Sequence, residues 1–114
     1  MPRSAAGQQF IVICDPSNGT ASPDPVQPKG PDAKLIFKLK SPSQWQWSGT
    51  KPITIGGNPA AGTFTGGSAG NDGAIHLSDV NDDNGSYPYT FSATPKGGGA
   101  PVDIDPTIDN SDSN

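Results

Sequence analysis

All 11 acidic residues of this 114-residue chain are aspartate, and glutamate is absent. That bias bears directly on the fold. Aspartate closes hydrogen bonds onto its own neighbouring backbone, so it favours turns and caps over helix interiors. The rest of the composition pushes the same way. Gly (15) and Pro (13) make up about a quarter of the chain. Each interrupts a helix, Gly through backbone entropy and Pro through its missing amide proton and a ring clash with the preceding turn. With one Met, one Arg and three Leu, strong helix formers are scarce. No stretch combines helical periodicity with good formers, so an all-β chain is expected.

Period-two alternation places the strands. Between Lys34 and Lys40, Leu35, Phe37 and Leu39 share one face and the lysines the other, with Ile36 on the lysine face and partly exposed. Trp45 and Trp47 alternate with glutamines, and Ile53 and Ile55 flank Thr54. Thr63–Thr65 is a weak strand, and Ile75 and Leu77 flank His76. Tyr87, Tyr89, Phe91 and Ala93 alternate with small or polar residues, and Val102–Ile104 and Asp105–Ile108 close the series. Phe10–Cys14 is a continuous apolar run, which predicts a strand covered on both faces. About seven short strands at roughly ten-residue spacing predict an antiparallel sandwich or barrel with long Pro/Gly-rich loops.

Only 19 residues are Leu, Ile, Val or Phe. One lean core is all they can build, so one domain is expected over residues 9–108, with a flexible N-terminus at 1–8 and a polar acidic tail at 109–114. The proline-rich segment 15–33 reads as an extended or polyproline-like loop over the surface, and Gly66–Gly73 as a glycine-rich loop. Net charge runs from +3 over residues 1–70 to −7 over 71–114. The basic residues are too few and scattered to track phosphates, which argues against nucleic acid. The asymmetry serves solubility or a head-to-tail attraction between molecules. No apolar run has membrane-spanning or signal-peptide length, and Cys14 is the only cysteine. These features predict no membrane insertion, and a cytoplasmic protein or one released or assembled without a signal peptide.

Asp83-Asn84-Gly85-Ser86-Tyr87 has the form D-x-G-x-Y. It resembles the corner before the sixth strand of immunoglobulin-like domains, where the Tyr hydroxyl returns to the upstream backbone. The resemblance covers residues 34–94 and implies an immunoglobulin-like β-sandwich. It assigns the family's two cysteine positions to Tyr89 and Phe37, and the core tryptophan to Trp45 or Trp47. Pro88 departs from the pattern, because inside a central strand it removes a ladder hydrogen bond. An edge strand or a bulge would accommodate it. The closing run Val102-Asp103-Ile104-Asp105-Pro106-Thr107-Ile108-Asp109-Asn110 also resembles the ending of some small uncharacterised bacterial proteins, which implies no activity.

Four constellations invite a chemical reading. Gly66-Gly67-Ser68-Ala69-Gly70, followed by Asp72 and His76, mimics a hydrolase nucleophile elbow. That chemistry needs a strand–elbow–helix on a parallel sheet, which so short an all-β chain does not provide. No catalytic residue is expected. His76 and Cys14 lack the spacing of a zinc site. Asp79, Asn81 and Asp83 alternate as in the start of a calcium loop, although the Gly comes one position late and position twelve is Thr90. The competing reading is a turn rich in Asp and Asn. Trp45 and Trp47, on one strand face, form either a platform for a sugar or protein partner or part of the core. The expected function is a non-enzymatic interaction or structural module that docks another protein, or assembles with itself, through loops and sheet edges. The alternative is a calcium-dependent or carbohydrate-binding module.

Overall fold

In a computed structural model, residues 7–30, 32–49, 52–59, 61–69, 73–81 and 85–110 are described, apart from the side chains of Ser68 and Ala69. Among these residues the chain forms strands and no helix: β1 (Gln9–Asp15), β2 (Thr20–Ser22), β3 (Ala33–Leu39), β4 (Trp45–Trp47), β5 (Ile53–Ile55), β6 (Phe64–Ala69), β7 (Ile75–Asp79), β8 (Ser86–Pro95), β9 (Val102–Ile104) and β10 (Thr107–Asp109). They make two sheets of five strands each, an architecture compatible with a β-sandwich.

The first sheet has the order β2-β1-β3-β7-β6. All its pairs are antiparallel except β1 with β3, where Phe10 stands beside Leu35 and Val12 beside Phe37 in parallel register. Parallel neighbours need a long crossover, and the proline-rich segment supplies it. After β2, Pro23 and Pro25 cannot donate to a ladder, and the chain leaves the first sheet. Val26 then bridges Ile108 in the second sheet, donating to the Thr107 carbonyl (3.0 Å) and accepting from the Asp109 amide (2.9 Å).

The second sheet is built around β8. On one side lie β9 and β10, in a register that runs unbroken past Asp105-Pro106, since Tyr89 N–H still reaches the Pro106 carbonyl at 2.9 Å. On the other side lie β4 and β5, whose registers are offset, so that Ser92 meets both Ser48 and Pro52. Ser48 donates to the Ser92 carbonyl (3.0 Å) and Ser92 to the Pro52 carbonyl (2.9 Å). Pro88 needs neither an edge strand nor a bulge in β8. Its carbonyl accepts from Gly56 at 2.7 Å, just beyond the end of β5. The donor it lacks therefore faces the terminus of the neighbouring row, where a single missing bond breaks no ladder.

Between the sheets, Val12, Leu35, Phe37, Ile75 and Leu77 meet Tyr89, Phe91 and Ile108. Phe37 and Tyr89 stack at 5.2 Å between ring centroids, and Trp47 meets Phe91 edge-on at 6.2 Å. Four sequence expectations need correction. β1 is covered on one face only: Val12 and Cys14 are buried, while Ile11 (48%) and Ile13 (38%) are exposed on the outer face. Ile36 is on that same outer face yet buried, because Ile11 and His76 flank it across the strands. Segment 15–33 is not merely superficial, since Ala21, Val26 and Pro28 enter the interior. The glycine run is strand as far as Ala69, with a bulge between Gly66 and Ser68. A Cβ on Gly66 would lie 2.9 Å from the His76 carbonyl oxygen at φ +93°, so glycine alone permits this close pairing.

Candidate functional site

Trp45 and Trp47 lie on β4, an outer strand of the second sheet, and both are half-buried. Alternation turns both indoles toward the first sheet. Their N–H groups are satisfied within the protein: Trp45 donates to Ser17 Oγ (3.0 Å) and Trp47 to the Gly73 carbonyl (2.8 Å). Together with Lys38, Leu39, Gln46 and Lys96 they line a cleft of ≈ 380 Å³, closed on one side by Gly73 and Ala74. That volume falls within the usual range of binding pockets. Trp47 also packs on the core, so platform and core are combined in one residue rather than exclusive.

The electrostatics of the cleft are one-signed. Lys38 and Lys96 are exposed, and among the described residues no acidic side chain lines the cleft and the one ion pair is Lys40 with Asp15 (3.6 Å). The edge of β4 adds backbone groups. Gln44 and Ser48 bond to β8, through Lys96 N–H to the Gln44 carbonyl (2.8 Å) and Ser48 N–H to Ser92. By the alternation of an antiparallel ladder, Trp45 and Trp47 direct their backbone groups away from β8. Trp45 N–H turns back to the Ser41 carbonyl (3.2 Å). The Trp45 carbonyl and both polar groups of Trp47 face an edge on which no strand lies among the described residues. Sequence reasoning found the tryptophans but missed Lys38, Gln46 and Lys96 as their neighbours. Lys38 of β3 and Lys96, just past β8, are brought together only by the tertiary fold.

Of the calcium-type trio, Asp83 lies outside the described residues, while Asp79 and Asn81 are buried at 0% exposure. Asp79 Oδ1 accepts from the Asn81 amide (2.9 Å) and from Asn110 Nδ2 (3.0 Å). Asn81, at φ 55°, donates through Nδ2 to the carbonyls of Gly30 (2.9 Å) and Pro28 (3.2 Å). These contacts tie the end of β7 to the crossover segment and to the chain beyond β10. Among the described residues no group of three His, Cys or Asp is arranged to hold a metal ion.

Of the D-x-G-x-Y run, Asp83 and Asn84 lie outside the described residues. Tyr87 is buried, packs edge-on against Phe64 (5.2 Å) and lays its hydroxyl over Gly85, where a Cβ would stand only 2.6 Å away. Ser68 stands opposite His76 in the β6–β7 pair, while Gly70 and Asp72 of that motif lie outside the described residues. Burial pushes the Cys14 thiol up to about 12, and burial, then Cys14, then Asp24 raise the Tyr89 phenol. Asp15 is held below the ordinary carboxylate value mainly by the Asn18 side chain, which donates to it at 2.8 Å. Among the described residues no helix is long and apolar enough to cross a membrane. No protein-family model matches this chain, and a search of curated proteins finds no relative.

Proposed function

We propose that this chain is an immunoglobulin-like β-sandwich acting as a non-enzymatic interaction module, which docks a protein partner along the edge of β4. The strand order supports the fold reading. β3-β7-β6 facing β4/β5-β8-β9/β10 follows the B-E-D and C-F-G pattern of immunoglobulin domains. The Phe37–Tyr89 contact occupies the place of the family's bridge, with Trp47 beside it. The parallel β1, inserted between β2 and β3, departs from that pattern. Cys14 supports the non-enzymatic reading, because a raised, enclosed thiol is the opposite of a nucleophile.

The observation that carries the docking reading is a tryptophan-lined cleft running beside open backbone. Edge backbone supplies main-chain bonds and adjacent pockets supply specificity. The test is selection of a displayed random peptide library on the folded protein, with the Trp45→Ala and Gln46→Pro variants as counter-selections. The expected result is enrichment of peptides that bind the parent and neither variant. Enrichment of nothing, or equal binding to all three, would overturn the reading.

A second reading, self-assembly, is favoured by the opposed charge of the two outer faces. The first sheet presents Lys34 and Lys38 around Ile11 and Ile13, and the second presents Asp103, Asp105 and Asp109. Sedimentation at several protein and salt concentrations tests it. Monomers at every concentration in low salt would exclude it.

A further inference from the structure

Resting on the docking reading, we infer that the β4 cleft takes an extended, acidic peptide segment of a partner protein, which adds as a short strand beside Trp45-Gln46-Trp47. Three observations converge on this occupant. Open backbone is one: the Trp45 carbonyl and the N–H and carbonyl of Trp47 repeat at the two-residue spacing that a paired strand requires. A strand satisfies such a row, whereas a compact ligand reaches only part of it.

The lining is the second. Both indole N–H groups are already bonded internally, so what the tryptophans offer a ligand is mainly carbon surface. Apolar or aromatic side chains at alternate positions of the incoming strand match that surface. The charge is the third. Lys38 of β3 and Lys96, just past β8, both border the cleft, and neither has an acidic partner among the described residues. Two lysines with no carboxylate lining the cleft among the described residues select against basic segments and favour aspartate or glutamate between the apolar positions. The reach is short. β4 spans only Trp45–Trp47, so about three residues of the ligand pair with the edge.

The experiment uses the full chain, isotopically labelled, titrated with synthetic peptides under NMR observation. The probe peptide alternates aspartate with valine and phenylalanine, one analogue replaces aspartate with lysine, and a second places proline at the pairing positions. The acidic peptide is expected to shift the Trp45 and Trp47 indole and backbone signals and to slow hydrogen exchange at the Trp47 amide. The lysine and proline analogues are expected to bind at least about tenfold more weakly. Lys38→Glu combined with Lys96→Glu is expected to reverse the charge preference while leaving the β3 and β8 signals in place. Equal binding of the acidic and lysine peptides, or equal binding of the proline analogue, overturns the inference. So does tighter binding of a galacturonate oligomer at the same signals. If the displayed library yields neutral or basic peptides that lose binding to Trp45→Ala and Gln46→Pro, the docking reading stands and this inference alone falls.

Discussion

Tyr87 and Tyr89 are two positions apart on β8 and look equivalent in the sequence, yet their hydroxyls meet different fates. Tyr89 is 1% exposed, and its hydroxyl finds no hydrogen-bond partner among the described residues. A buried orphan hydroxyl is unfavourable. Tyr89→Phe should therefore raise stability, by about 1 kcal/mol in urea unfolding. Tyr87 instead lays its ring over Gly85, and the gap of 2.6 Å leaves no room for a methyl group. Gly85→Ala should lower stability by about 1–3 kcal/mol, the usual range for forcing atoms into a packed site. Cys14 predicts an alkaline limit. Its native thiol holds its proton up to about pH 12, whereas the unfolded chain releases it near the ordinary value of 9.0. Unfolding then releases a proton, so stability falls between those limits, by at most about 1.4 kcal/mol per pH unit. Urea midpoints measured from neutral to alkaline pH should decline, and Cys14→Ala should remove the first part of that decline. The Tyr89 phenol adds a loss of the same sign at higher pH, because its native pKa is also raised.

At the level of elements, side-chain alternation was a reliable guide wherever the chain kept period two without glycine or proline. The bounds of β4, β5, β7 and β9 follow directly from Trp45, Ile53, Ile75 and Val102 and their partners. Phe37 and Tyr89 at the centre of the core were legible for the same reason. The crossover was misread because its prolines hide its pattern. Ala21, Val26 and Pro28 are buried, but no apolar run flanks them; Ala21 pairs with Cys14 of β1, while what holds Val26 and Pro28 comes from Asp109 and Asn81, more than 50 residues away. The tendency of Asp79 to close onto nearby backbone was legible, as in its bond from the Asn81 N–H, but the inward direction of Asn81 was not, since the carbonyls it meets belong to that distant segment. Asn81→Ala should therefore cost about 2–4 kcal/mol, through two lost buried bonds and a left-handed backbone that alanine tolerates poorly. Chemical denaturation measures the loss, and addition of calcium should not restore it. For the candidate site, the sequence supplied the aromatic pair. Lys38 and Lys96, on which the proposed acidic ligand rests, come from β3 and from just past β8, and no local pattern ties them to β4.

For the whole molecule, the linear charge asymmetry becomes a spatial one, lysines on the outer face of one sheet and aspartates on that of the other. Faces of opposite sign attract copies head to tail, an arrangement that need not close into a ring. Association by this route should weaken as salt rises, since the screening length is about 8 Å at physiological ionic strength. Lys34→Glu should reduce it with little loss of stability, because that side chain is exposed on the basic face. Sedimentation velocity, paired with a melting curve, checks both parts. A different consequence follows from the strand that β4, β5, β9 and β10 all share. Among the described residues none of these four pairs with another of its own sheet, so β8 carries the ladder of each, with only the Val26 bridge to β10 added. Such a hub cannot open piecemeal without orphaning the segments on both flanks. Amides from Tyr89 to Ala93 should therefore exchange with solvent together, only when the molecule opens as a unit, while the four short segments act less as strands in their own right than as clasps closing on one rod.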